Sequence, residues 1–177
     1  MKKVLVVVDM QNDFIDGSLG TKEAQSIVPN VVKKIKEWDG DIIATLDTHN
    51  PDYLCTREGK YLPVEHCVVN TEGHKIRTEV NGALLNAGAT RFVHYLEKPT
   101  FGSTELPELV KDSEAGYIEL VGLCTDICVV SNALLLKAAF PELDIAVDAS
   151  CCAGVTPQSH TAALTTMKMC QIDVIGE

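Results

Sequence analysis

VGLCTDICVVSNALLLKAAF, residues Val121 to Phe140, runs from an apolar segment through a glycine into a longer amphipathic pattern. Val121-Gly122-Leu123 reads as the end of a buried strand. Asp126 to Phe140 reads as a helix, with Thr125 or Asp126 available as its cap. Cys128 then falls in the first helical turn. Unpaired backbone N–H groups and the positive end of the helix dipole favour a thiolate there, and the same N–H groups can hold an oxyanion. A sharp strand-to-helix turn also exposes the nucleophile of serine hydrolases. A cysteine that only packs at the start of a buried helix fits the stretch equally well.

Outward from this stretch, short apolar runs alternate with segments of helical period. Strands are expected at Lys3–Val8, Asp41–Leu46, Arg91–Leu96, Tyr117–Val121, Leu143–Val147 and Ile172–Ile175. Helices are expected at Ala24–Trp38, Glu79–Ala87, Ser103–Asp112, Asp126–Phe140 and Pro157–Met169. In the first of them Ile27, Val31, Ile35 and Trp38 form one stripe. Continuous apolar strands alternating with helices predict an α/β fold, a three-layer α/β/α sandwich with a mainly parallel sheet. The length of 177 residues suits one domain, 1–177, and no repeat or low-complexity linker divides it. Thr48 to Thr78 is the one long irregular segment, and its His, Asp, Glu and Cys content points to function.

Ligands of open parallel α/β sheets bind beyond the carboxyl ends of the strands. Asp9 follows the first expected strand, Asp47 and His49 the second, Lys98 the third, and the Cys124 to Cys128 turn the fourth. These side chains therefore converge on one sheet edge. A nucleophilic thiol needs a base, and Asp9 with Lys98 is the available pair. A turn acid and a solvated lysine remain the plain alternatives. Asp47 and His49, two apart on an extended segment, point to one side, and Glu58 and His66 follow in the same loop. Two imidazoles with one or two carboxylates suit a divalent transition metal such as zinc, iron or manganese. A polar surface loop with scattered histidines is the competing reading. Cys55 and Cys67 rank behind this set. His74 and His160 have no evident partner, and His94 falls inside a strand as a core or interface histidine.

The net charge is -10, and no Lys/Arg-rich run is present, which argues against nucleic acid and for a small-molecule partner. The apolar run Val4 to Val8 is closed by Asp9 and is too short for a signal peptide, and no segment has the apolar length to span a membrane. A cytoplasmic protein is expected. Its seven cysteines are expected as free thiols. Cys124-x3-Cys128 is not the C-x-x-C of a thiol-redox protein.

DMQNDF at Asp9 to Phe14, DTH at Asp47 to His49, HC at His66 and Cys67, EKPTF around Lys98 and GLCTDICV at Gly122 to Val129 together resemble the isochorismatase-like cysteine hydrolases. The Asp-x-His, Glu and His set resembles their nicotinamidase branch. The resemblance covers nearly the whole chain. It implies a Rossmann-like isochorismatase fold and a triad of Cys128 as nucleophile, Asp9 as general base and acid, and Lys98 as the orienting group. It further implies a cis peptide at Leu123–Cys124, with the backbone N–H groups of Cys124 and Cys128 forming an oxyanion hole. A metal on Asp47, His49, His66 and Glu58 would bind the ring nitrogen of a small amide, with Phe14 lining the pocket. Family members often form dimers or tetramers, so a homo-oligomer is expected. The chain departs from the nicotinamidase pattern at Tyr61 to His66, where Leu62 or Tyr61 replaces an aromatic before a longer spacing, and at the short segment that carries Phe101. Both changes touch the substrate pocket. Nicotinamide hydrolysis is the leading expectation. A different small amide or carbamoyl compound, or a silent binding relative, is the alternative.

Overall fold

The computed structural model describes residues 1–177. The chain runs β1 (Lys3–Val8), α1 (Asn12–Ile15), α2 (Lys22–Glu37), β2 (Asp41–Asp47), α3 (Arg57–Tyr61), α4 (Thr78–Gly88) and β3 (Val93–Lys98), then α5 (Leu106–Ser113) and β4 (Tyr117–Leu123). A π-helical turn (Thr125–Val129) leads into α6 (Val130–Ala139), followed by β5 (Asp144–Ala153), α7 (Pro157–Met169) and β6 (Asp173–Ile175).

The strands form one six-stranded sheet in the order β3-β2-β1-β4-β5-β6, with every pair parallel. The sequence of β1 explains its central place. Val4 to Val8 are all buried, with no polar alternation, because both faces of the sheet are covered. The period of two then divides the core. Leu5 and Val7 pack with Ile27, Val31, Ile35 and Leu84 from α2 and α4. Val4, Val6 and Val8 pack with Leu106, Val110, Leu136 and Met167 from α5, α6 and α7.

Chain connections leave β1 and β4 in opposite directions along the sheet. A crevice therefore opens between their carboxyl ends, the position where doubly wound sheets take ligands. At that seam a Cβ on Gly122 would lie 2.1 Å from the Val8 carbonyl oxygen, and Gly122 has φ +118°. Only glycine lets β4 pass β1 this closely before the turn.

Several element boundaries move. β2 and β3 run further than expected, so Asp47 and Lys98 are the last residues of their strands and stand opposite each other in register. β5 extends to Ala153, and its partners jump from Val147 to Cys152 while β4 advances only from Leu120 to Gly122. The helix expected from Asp126 begins instead as the π turn. Its N-cap is Cys124, with no side-chain cap. Thr125 and Asp126 serve other partners: Thr125 shares a hydrogen bond with His160, and Asp126 accepts from the Val155 N–H.

Candidate active site

Each strand end delivers one group to the crevice. Asp9, directly after β1, has φ +47°, a left-handed conformation that a short acid tolerates. Its Oδ1 accepts from the Thr45 hydroxyl at 2.7 Å, across the β1–β2 register. Its Oδ2 stands 2.7 Å from Lys98 Nζ as an ion pair without a well-aligned hydrogen bond. Lys98 Nζ also donates to the Thr100 carbonyl at 3.0 Å, lies 3.6 Å from Cys128 Sγ, and lies 3.6 Å from Asp47 Oδ1. Asp9, Lys98 and Cys128 are all buried.

Burial governs their protonation. It raises the Asp9 carboxyl above its ordinary value, and Asp47 adds to the rise while Lys98 opposes it. Burial alone would discharge Lys98, but Asp9, Cys128 and Asp47 keep it charged. The Cys128 thiol is pushed well up, first by burial and then by Asp9, which Lys98 only partly offsets. Burial and the adjacent carboxylate thus act against the thiolate that the helix start was expected to favour.

Beside this trio, one ligand atom each from Asp47, His49, Glu58 and His66 lies within 4.8 Å of the others. A tetrahedral ion with bonds of about 2.0–2.1 Å needs ligand separations of roughly 3.4 Å. The carboxylate–imidazole separations are 2.9, 3.7, 3.5 and 3.6 Å. The His66 Nδ1 proton is donated to the Val64 carbonyl at 2.8 Å, which leaves Nε2 as the ligand atom. Gln11 grips the Asp47 backbone at both groups, accepting from its N–H and donating to its carbonyl at 2.8 Å each. The Tyr53 ring lies 4.7 Å from His49 and 4.9 Å from His66, and its hydroxyl donates to the Leu62 carbonyl. Burial would lower the His66 imidazole, yet Asp47 and Glu58 raise it to about 10. Burial would raise Asp47, but His49, His66 and Lys98 hold it below the usual carboxylate range. Such a cluster attracts a cation. Two nitrogens among the donors suit a divalent transition ion better than the all-oxygen shells of calcium and magnesium. The residues therefore fit a divalent metal.

Cys128 and three of the four donors, Asp47, Glu58 and His66, line a cavity of about 310 Å³, walled by Phe14, Leu19, Leu62, Phe101, Ile127 and Val155. Phe14, Leu62 and Phe101 thus all line it. The Leu123–Cys124 peptide is cis, and Cys124 borders the same cavity. Cys55 and Cys67 do not join the converging donors. His74 bonds to the Thr48 hydroxyl, and His94 stacks on Phe92 at the β3 edge.

Sequence reading missed Thr45, Gln11, Tyr53 and Asn132. Asn132 is fully buried. It donates to the carbonyls of Cys128 and Phe101 and accepts from the Ser103 N–H. A polar residue four positions after Cys128 in an apolar helix was the available signal.

The isochorismatase domain family matches residues 3–176. An uncharacterized isochorismatase family protein, PncA, of Bacillus subtilis is 28% identical, covering 93% of this chain and 93% of its own length. The nicotinamidase of Escherichia coli is 26% identical over 94% of this chain and 90% of its own length. The solved nicotinamidase/pyrazinamidase PncA of Bacillus subtilis is 25% identical with a TM-score of 0.86, covering 98% of this chain and 99% of that one. A pyrazinamidase of Pyrococcus horikoshii, solved in complex with zinc, shares the fold at 24% identity and TM-score 0.78, over 100% of both chains. The chain belongs to the isochorismatase family, in its nicotinamidase-like branch, whose class is that of hydrolases acting on amide C–N bonds.

Proposed function

We propose that residues 1–177 act as one hydrolase domain that converts nicotinamide and water to nicotinate and ammonia through a thioester on Cys128. The observation that carries this reading is that Cys128, packed with Lys98 and Asp9 behind it, lines the same cavity as Asp47, Glu58 and His66 of the four converging donors.

Asp9 Oδ1 is committed to Thr45, so Oδ2 takes the thiol proton as Cys128 Sγ bonds to the amide carbon. A raised carboxyl is the better partner for this transfer near neutral pH. The backbone N–H groups of Cys124 and Cys128 hold the oxyanion. Asp9 then gives its proton to the leaving nitrogen, the C–N bond breaks, and ammonia departs. Water adds to the thioester carbon, with Asp9 taking its proton. The C–S bond breaks, and that proton returns to sulfur. Lys98 keeps the carboxylate oriented and balances its charge throughout. Asp47, His49, Glu58 and His66 would hold the metal, with zinc first by donor set and iron or manganese behind it. When bound, the ion supplies a Lewis-acid contact for the substrate's ring nitrogen. Phe14, Leu62 and Phe101 enclose the ring.

The aliphatic side chains of Leu19, Leu62, Ile127 and Val155 favour, as second reading, another small amide or carbamoyl compound on the same trio. Nicotinamide hydrolysis would place the protein in NAD salvage in the cytoplasm. The test is ammonia release from nicotinamide by metal-loaded protein, with Cys128→Ala alongside. Release that disappears in the variant supports the reading. No release from the wild type, with metal bound, rejects nicotinamide and sends the search to other amides.

A further inference from the structure

His160 takes no part in the chemistry above, yet it is the hydrogen-bond partner of the turn that carries Cys128. Its Nδ1 lies 2.8 Å from the hydroxyl of Thr125, a residue with no exposed surface, placed between Cys124 and Asp126. Thr125 has no second side-chain hydrogen-bond partner, and which atom of the pair donates follows the imidazole tautomer. Burial holds His160 below its usual pKa, against the pull of Asp126 from the turn and Glu177 from the chain end.

The position of His160 is itself fixed. Thr156 and Ser159 form a reciprocal capping box at the start of α7, with Pro157 in its first turn. The His160 N–H donates to the Thr156 carbonyl at 3.0 Å. A Cβ on Gly154 would come within 2.9 Å of His160 Cβ, so the β5–α7 loop is pressed against this first turn. Next to the Thr125 bond, the Asp126 carboxylate accepts from the Val155 N–H at 3.1 Å, and Val155 walls the cavity. The nucleophile turn is therefore fastened to the α7 start at two consecutive residues. It needs such fastening, because it begins with no side-chain cap of its own.

We infer that His160 is a positioning residue: through Thr125 it holds the Cys124–Cys128 turn against α7, and so sets where Cys128 Sγ and the turn's backbone N–H groups meet the substrate. The inference rests on the amidase reading for its kinetic consequence, but not for its structural one.

The test compares His160→Phe, which keeps a ring without Nδ1, with His160→Asn, whose amide oxygen can reach the Nδ1 position. Thr125→Val is made alone and on His160→Phe. Ammonia release gives kcat and KM, and peptide-level mass spectrometry gives the iodoacetamide alkylation rate at Cys128, which needs no amide substrate. His160→Phe should lower kcat about tenfold to a hundredfold, the scale of a small misplacement of reacting groups. KM and bound metal should stay within about twofold, and the Cys128 alkylation rate should change. His160→Asn should recover most of kcat. Thr125→Val should add nothing to His160→Phe, as for two groups of one bond. Unchanged kcat and alkylation in His160→Phe would overturn the inference, as would an equal loss in His160→Asn. A wild type that hydrolyses no amide counts against the function proposed above, and the alkylation rates alone then decide the role of His160.

Discussion

Lys98 Nζ and Asp9 Oδ2 form an ion pair of 2.7 Å in which neither side chain is exposed. Removing either partner leaves an uncompensated buried charge. Lys98→Met should therefore protonate Asp9, remove the base, and lower kcat by about three orders of magnitude or more, the scale of losing a positioned acid–base group. Cys128→Ala should give no thioester at all. Trapping with labelled substrate, followed by mass spectrometry of the Cys128 peptide, checks both. A trapped acyl group on Lys98→Met at the wild-type rate would remove Asp9 from the chemistry.

The pH profile follows from the same burial. Asp9 has a raised pKa, so the carboxylate is present above that value and lost as pH falls through it. The acid limb of kcat/KM should thus lie above the ordinary carboxylate value of 3.8. The Cys128 thiol is raised above its ordinary 9.0, so the thiolate forms only in alkali. Alkylation of Cys128 at neutral pH should be no faster than that of exposed Cys170. Rapid alkylation of Cys128 at pH 6 would mean that the thiolate is preformed and needs no base.

These groups were legible in the sequence because position carries them. A residue at or just past the end of an apolar strand lands at the carboxyl edge, as Asp9, Asp47 and Lys98 do, with Cys128 in the turn that follows β4. The sheet was legible for the same reason, since Val4 to Val8 admit no exposed face. What stayed hidden depends on pairing across the chain. Thr45 meets Asp9 because Val8 and Thr45 share a register, which one strand's sequence does not state. The π turn at Thr125 was hidden because Thr and Asp there look like caps, while their partners lie on α7 and its preceding loop. The protonated state of Cys128 depends on desolvation, which becomes visible only once Asp9 and the core surround it.

The metal cluster depends on Gln11 as much as on its own donors, because Gln11 fixes the Asp47 backbone at both polar groups. Gln11→Leu should weaken metal affinity about 10- to 100-fold, the usual cost of a lost outer partner. His66→Ala should weaken it further by removing a donor. Competition against a chromogenic chelator measures both. Chelation of the wild type should abolish ammonia release and restore it on adding zinc. Wild-type affinity in Gln11→Leu would show that the strand alone holds Asp47.

Away from the site, Lys34 bridges two buried carboxylates, Glu119 at 2.6 Å and Asp148 at 2.8 Å. Burial would raise Asp148, but Lys34 and Ser150 hold it below its ordinary value. A lowered carboxylate contributes stability above the unfolded pKa and loses it as pH falls through the folded one. Lys34→Met leaves both acids without their cation, with only the Tyr117 hydroxyl donating to Glu119 and Ser150 donating to Asp148. The Lys34 side chain is 25% exposed, so the expected loss is toward the low end for such breaks. About 2–3 kcal/mol at pH 7 is expected by urea denaturation. The gap should narrow as pH falls through the lowered value of Asp148, below the ordinary 3.8. A gap independent of pH would assign the loss to packing of the lysine stem.

Asn132 joins the nucleophile turn to the loop that carries Phe101. Its Nδ2 donates to the Cys128 carbonyl at 2.8 Å and to the Phe101 carbonyl at 3.2 Å, while Oδ1 accepts from the Ser103 N–H at 3.0 Å. The loop is also pressed onto α6, where a Cβ on Gly102 would lie 2.7 Å from Leu135. Asn132→Leu keeps the branched outline of the side chain but strands these backbone groups, at about 1–3 kcal/mol for a buried group left unpaired. Phe101 walls the cavity, so the freed loop should raise KM more than it lowers kcat. Asn132→Asp should be worse at neutral pH, because a carboxylate oxygen would replace the amide that faces two carbonyls. Steady-state kinetics with parallel thermal melts separate the two effects. A fall in melting temperature without a change in KM would make Asn132 a fastener of the fold alone, and a rise in KM at constant melting temperature would make it the residue that seats Phe101.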